Sequence, residues 1–138
     1  MITRISFSLV FLLALSRCAA SPAPAAAPAP LHSVATDLLR QRLAEEFAPG
    51  REVIVSLVEI PPHTTLERHF HPGEEFHYYL EGEVEIAVDG EPSRIGRAGT
   101  TGHIPFRKIH TAITHESAAE ILVFRVHTAG EPVRYVQE

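Results

Sequence analysis

Apolar residues change their spacing partway along the chain. Between Leu31 and Phe47, the residues Leu38, Leu39, Leu43 and Phe47 recur at helix-like intervals, with Asp37 near the start. This spacing predicts a short helix or an irregular arm over residues 31–50, stopped by Pro49 and Gly50. From Arg51 the period shortens. Val53, Ile54, Val55, Leu57, Val58 and Ile60 form a β-branched run closed by Pro61-Pro62, which predicts a strand rich in buried positions. Glu83-Val84-Glu85-Ile86-Ala87-Val88 alternates charged with apolar residues, so one face is wet and the other packed. Asp89-Gly90 supplies the conformations of a tight turn after it. A further strand runs through Ile121, Leu122, Val123, Phe124 and Val126, and Val133 to Val136 adds an edge strand. Short strands at close spacing, with Gly and Pro between them, predict an all-β sandwich or barrel over residues 51–138.

The first 30 residues follow a different logic. Residues 1–20 carry Arg4 and Arg17, no acid, and an apolar run from Ile5 to Leu15, which is the pattern of a signal peptide. That run is far shorter than the roughly 20 residues a membrane span needs. Ser21 to Pro30 reads SPAPAAAPAP, a stiff Pro/Ala-rich linker. The expected location is therefore periplasmic or secreted, with no membrane span. The one cysteine, Cys18, sits at the signal junction, so the mature fold has no internal disulfide. Arg17 directly before Cys18 argues against lipidation there. The formal charge of −5 becomes −7 once Arg4 and Arg17 are removed, and Lys108 is the sole lysine. An acidic domain without a basic cluster is not expected to bind nucleic acid.

Seven of the nine histidines lie between His63 and His115. Side chains alternate along a strand, so His69 and His71 share a face while Phe70 points away. Pro72-Gly73 bends the chain, and Glu75 opens the next apolar run, where a carboxylate can close on the same centre. His110, five residues after Pro105, could return to it through a turn. Imidazoles with one carboxylate suit a divalent transition metal such as Fe, Mn, Ni, Zn or Cu, and leave coordination positions open.

These residues carry a family resemblance. His69-Phe70-His71-Pro72-Gly73-Glu74-Glu75, followed by Gly82, matches the first cupin motif without a gap, and Gly99, Pro105 and His110 match the second. Two positions depart from the pattern: Arg107 stands where a turn glycine is usual, and Thr114 where an asparagine often follows. The resemblance implies a double-stranded β-helix, or jelly-roll barrel, with the metal at one end. It carries the family's ligands onto His69, His71, Glu75 and His110. It also implies a homodimer, formed through edge strands or a terminal arm such as Leu31 to Phe47.

His77 and Tyr79 share strand parity with Glu75, so they are expected to line the cavity beside the metal. There they would serve as proton carrier and as donor to an anionic substrate or intermediate. Alternation turns Glu74, the competing carboxylate, outward, and His103 is read as outward too. His63, His115 and His127 are read as solvated. Phe70, Phe76, Phe106 and Phe124 are read as core or oligomer contacts. No GxSxG elbow and no phosphate-cradling glycine loop occurs. Three functions remain: a metal-dependent dioxygenase, isomerase or lyase acting on a small polar organic molecule; a non-catalytic binder or sensor of a small ligand or metal; and a domain whose ion is structural.

Overall fold

The computed structural model describes residues 32–138; the signal pattern, the 21–30 linker and Cys18 lie outside the described residues. Where helical spacing was expected, the chain is extended. Strand β1 (Val34–Arg42) pairs antiparallel with β2 (Arg51–Ile60), from Val34 opposite Glu59 to Arg42 opposite Glu52. The reason is what lies beside it. A lone short helix is marginal in water, whereas an extended segment satisfies the open edge of β2. Leu38 and Leu39 stay 57% and 51% exposed, so their helix-like spacing never meets a core. Over Val34–Arg42 the chain is therefore a regular edge strand, in place of the short helix or irregular arm expected.

The remaining strands are β3 (His69–Phe70), β4 (Gly73–Val88), β5 (Arg94–Arg97), β6 (Thr101–Ile104), β7 (His110–Ile113), β8 (Ala119–Thr128) and β9 (Tyr135–Val136). All pair antiparallel, in the order β1-β2-β8-β4-β7-β3-β9, with β5 and β6 also beside β4. Among the described residues there is no helix. The run Glu83–Val88 read from sequence is the second half of β4, which belongs to both halves of the fold. Residues Gly73–Gly82 pair with β8, and Glu83–Val88 with β5 and β7. The corner falls at Gly82, whose φ is +71° and where a Cβ would overlap the Ala118 carbonyl. Only glycine fits there. Folding the sheet over at this point produces the double-stranded β-helix.

Inward positions grade from apolar to polar along the strands. On β8 they run Ala119, Ile121, Val123, Arg125 and His127, all buried. The apolar end packs Ile60, Val84, Ile86, Val88, Ile104, Ala112, Ile121 and Val123 into one core, with Val58 and Leu66 against it. The polar end gathers the histidines.

Candidate metal centre

Strand pairing brings the two motifs together. His69 on β3 lies directly opposite His110 on β7. His71 follows two residues after His69, and the Arg107 N–H donates to its carbonyl at 3.2 Å. That bond needs the turn to close, and Arg107 closes it with φ +57°, the left-handed conformation a glycine adopts without strain. The motif departure is thus accommodated at a local cost. Thr114 replaces the amide similarly. Buried, it accepts from the Thr64 N–H at 3.1 Å and donates to the Pro61 carbonyl.

One ring nitrogen from each of His69, His71 and His110 lies within 4.8 Å of the others, and all three residues are buried. Their Nδ1 atoms are each tied to a backbone carbonyl: His69 to Glu67 at 2.7 Å, His71 to Val133 at 2.6 Å and His110 to Lys108 at 3.0 Å. A carbonyl only accepts, so each Nδ1 carries the proton and each Nε2 presents a lone pair. Burial pushes the His69 imidazole down to about 4, against a partly offsetting bond to Glu67, with further lowering from His110 and His71. It is therefore neutral, the state a metal ligand requires.

Glu75 sits at the edge of this trio. Its Oε2 is 2.8 Å from His71 Nε2, and its Oε1 is 3.6 Å from His110 Nε2. Yet His71 Nε2 is buried without a hydrogen-bond partner among the described residues. A lone pair facing a carboxylate at that distance is unfavourable unless a cation stands between them. The donor set and this orphaned nitrogen both fit a divalent ion. Burial alone would raise the Glu75 carboxyl, but Arg125, aided by the hydrogen bond from His77, holds it well below the usual range.

Arg125 is the residue that sequence reasoning missed. Its Nε donates to Glu75 Oε2 at 2.6 Å and its Nη1 to Ser56 Oγ at 3.2 Å, and Ser56 in turn donates to Asp37 on β1 at 2.8 Å. Among the described residues its Nη2 makes no side-chain hydrogen bond. The available signal was alternation: Ile121 and Val123 face inward, so Arg125 and His127 must as well. His127 accordingly corrects the reading that it is solvated. It is 0% exposed and pairs in register with Glu52, because β8 keeps its inward parity to its end.

His77 and Tyr79 are buried, as parity predicted, but their positions differ from expectation. His77 reaches Glu75 Oε1 at 2.6 Å through Nε2, and its Nδ1 meets the Tyr79 hydroxyl at 3.0 Å. Tyr79 thus lies behind His77 and faces a separate cleft of about 210 Å³ between β5 and β6. Burial raises its phenol to about 12, with Glu75 adding to the shift and Arg94 opposing it. Glu74 turns outward, 2.7 Å from the exposed His103, and His63 and His115 are exposed. Phe76, Phe106 and Phe124 are 42%, 48% and 39% exposed, so they are not core, and Phe70 stacks on Tyr135.

Two spaces adjoin the trio. A cleft of about 400 Å³ between β1 and the chain before β9 is bordered by Asp37, Ser56, His69, His71, Arg125 and Arg134. Inside the barrel a cavity of about 50 Å³ touches His69, Glu75, His77 and His110 against the apolar Val58 and Ile86.

Several solved structures share this architecture. The DMSP lyase DddQ of Ruegeria pomeroyi DSS-3 aligns at 24% identity and TM-score 0.58, over 62% of this chain and 43% of its own. A cupin-like protein of Thermotoga maritima MSB8 aligns at 17% identity and TM-score 0.59, over 76% of this chain and 75% of its own. The oxalate decarboxylase of Lactobacillus farciminis, solved with formate, aligns at 22% identity and TM-score 0.54, over 61% of this chain and 26% of its own. The chain thus spans less than half of the lyase and about a quarter of the decarboxylase. At these identities the likeness concerns the fold. No curated protein matches the sequence. The family model for the cupin domain matches residues 56–125, half of the chain, from within β2 to within β8, so this chain belongs to the cupin family.

Proposed function

We propose that the chain is an exported, divalent-metal-dependent enzyme acting on a small polar organic molecule. The observation that carries this is the convergence beside Glu75 of three carbonyl-tethered imidazoles, one of which, His71, has a buried and orphaned Nε2. His69, His71, Glu75 and His110 would hold the ion. This set suits Fe, Mn, Ni, Zn or Cu and leaves coordination positions for substrate. A bound ion would supply Lewis-acid polarisation of a substrate oxygen or, as iron, reactivity with dioxygen.

The protein's own groups divide the remaining work. The 400 Å³ cleft suits the organic molecule, and Arg125 and Arg134 on its border favour one bearing an anionic group. The inner cavity of about 50 Å³ has room for a few water-sized guests, since one water needs roughly 10–15 Å³ of such space. His77 touches that cavity and can hold or move a proton at Nε2, while Tyr79 acts through it. The lyase and decarboxylase among the structural neighbours support catalysis on this scaffold. Export rests on the pattern of residues 1–20, and no described helix is long and apolar enough to cross a membrane. A homodimer would cover the exposed Phe76, Tyr78 and Phe124 on the outer face of β4 and β8.

Elemental analysis of the protein isolated from its own source tests the reading, followed by a screen of small carboxylates on that metal form. One divalent ion per chain, lost with turnover in His110→Ala, is the expected result. Full metal retention in that variant would refute it, and tight binding without turnover would indicate a sensor or binder.

A further inference from the structure

Two strand glycines lack a backbone explanation. Gly96 in β5 and Gly102 in β6 are absent from the residues with positive φ, so any residue could adopt their conformation. Glycine inside a strand weakens it and marks a place where something approaches closely. Here the same side chain occupies both Cβ positions. A Cβ on Gly96 would overlap Cζ and Cε1 of the Tyr79 ring, and one on Gly102 would lie 2.7 Å from the Tyr79 hydroxyl and 3.2 Å from His77 Nδ1. Because β6 pairs with the first half of β4 and β5 with the second, the two glycines flank the ring from both sides of the corner.

We propose that Gly96 and Gly102 are positioning residues: they form a seat that holds the Tyr79 hydroxyl on His77 Nδ1 and, through His77, aims the Glu75 carboxylate at the metal centre. The link to the metal rests on the reading of that centre given above. The chain is continuous. Tyr79 Oη stands 3.0 Å from His77 Nδ1, and His77 Nε2 stands 2.6 Å from Glu75 Oε1. A phenol donating to Nδ1 keeps the imidazole proton on Nε2, where it donates to Oε1. The carboxylate keeps the proton on Nε2 even without the phenol, but once the phenol is displaced nothing holds the ring in place, and its Nε2–H can swing off Oε1 and leave the carboxylate free to turn. Groups that orient a ligand in this way typically matter about 10–100-fold in metal affinity.

The test uses Gly96→Ala, Gly102→Ala and Tyr79→Phe, singly and combined. It has three readouts: ¹⁵N shifts of the histidine rings, the visible spectrum and affinity of added Co(II), and the urea midpoint. Gly102→Ala and Tyr79→Phe should each shift the His77 Nδ1 ¹⁵N signal as its hydrogen bond from the phenol is lost, shift the Co(II) spectrum alike and weaken Co(II) about tenfold. The added methyl in Gly102→Ala meets the hydroxyl, so Tyr79→Phe should restore the urea midpoint of that variant without restoring its Co(II) spectrum. The methyl in Gly96→Ala meets ring carbons that phenylalanine retains, so there Tyr79→Phe should restore nothing. If Gly102→Ala does not fold, the Gly102→Ala/Tyr79→Phe protein carries the comparison. A wild-type His77 Nδ1 signal and Co(II) spectrum in Gly102→Ala would overturn the proposal. Wild-type protein that takes up no Co(II), yet whose His77 Nδ1 signal shifts in Gly102→Ala, would sink the metal reading and leave the seat standing.

Discussion

Arg125→Met removes the counter-charge of Glu75 while keeping most of the side chain's bulk. Arg125 and Glu75 are 7% and 4% exposed and meet at 2.6 Å, so neither is solvated once the other is gone. Removing one partner of a buried pair costs about 3–5 kcal/mol, whereas an exposed pair is worth about 0–1 kcal/mol. The structure places this pair in the first class. For a domain of about 100 residues the loss corresponds to a fall in Tm of at least about 12 °C. Urea unfolding in chelator, at neutral pH, measures it. The same substitution in a Glu75→Gln background should cost far less, since no buried charge is then stranded. Added divalent metal should narrow the deficit, because an ion gives Glu75 a second counter-charge and binding stabilises the folded state. The pH dependence carries a definite sign. In the wild type the Glu75 carboxyl is held low, so its contribution is present above the ordinary carboxylate value and is lost as pH falls through the depressed one. Without Arg125, burial dominates and raises the carboxyl, so acid should stabilise the variant relative to the wild type. A cost below about 1 kcal/mol, or one unchanged by Glu75→Gln, would show that Arg125 is not the counter-ion.

Arg107→Gly should stabilise the fold by up to about 1 kcal/mol. It relieves the left-handed backbone at φ +57° and gives up only the guanidinium lying 5.1 Å over the exposed Phe106 ring; the urea midpoint reports the balance. Tyr79 should ionise near 12, seen as a late absorbance step in an alkaline titration that Tyr79→Phe removes. A raised acid stabilises the fold below the ordinary value of 10, and this contribution, about 3 kcal/mol, should disappear as pH rises from 10 through 12.

The legible parts of the fold were those where residue type and period agree. Val53 to Ile60 and Glu83 to Val88 combine β-branched composition with spacing that only a strand satisfies. The segment around Leu38 and Leu39 misled because helical spacing is informative only when the apolar stripe is buried, and here it faces solvent on an edge strand. Arg125 and His127 were hidden differently. Alternation from Ile121 places both inside, but residue type argues for the surface, and the conflict is resolved only when Glu75 and Glu52 stand opposite them. Tyr79 had the correct parity, yet parity fixes a face and not a depth. Two residues beyond His77, it passes behind that ring instead of beside the metal.

The histidine spacing identified which imidazoles converge, but it could not supply the property that makes them ligands. Three side chains of the same type can meet as a hydrogen-bonded cluster, with N–H groups pointing inward. What excludes that here is the pairing of every Nδ1 with a carbonyl, from Glu67, Val133 and Lys108. A backbone carbonyl is contributed equally by any residue, so none of the three partners leaves a mark in the sequence. Two of them sit two positions before their histidine and come with the strand itself. The third arrives from the segment before β9, 62 residues away. That distant carbonyl fixes the tautomer of His71, whose Nε2 is the atom left without a partner, and so the strongest argument for a metal depends on how the chain ends its fold around β3.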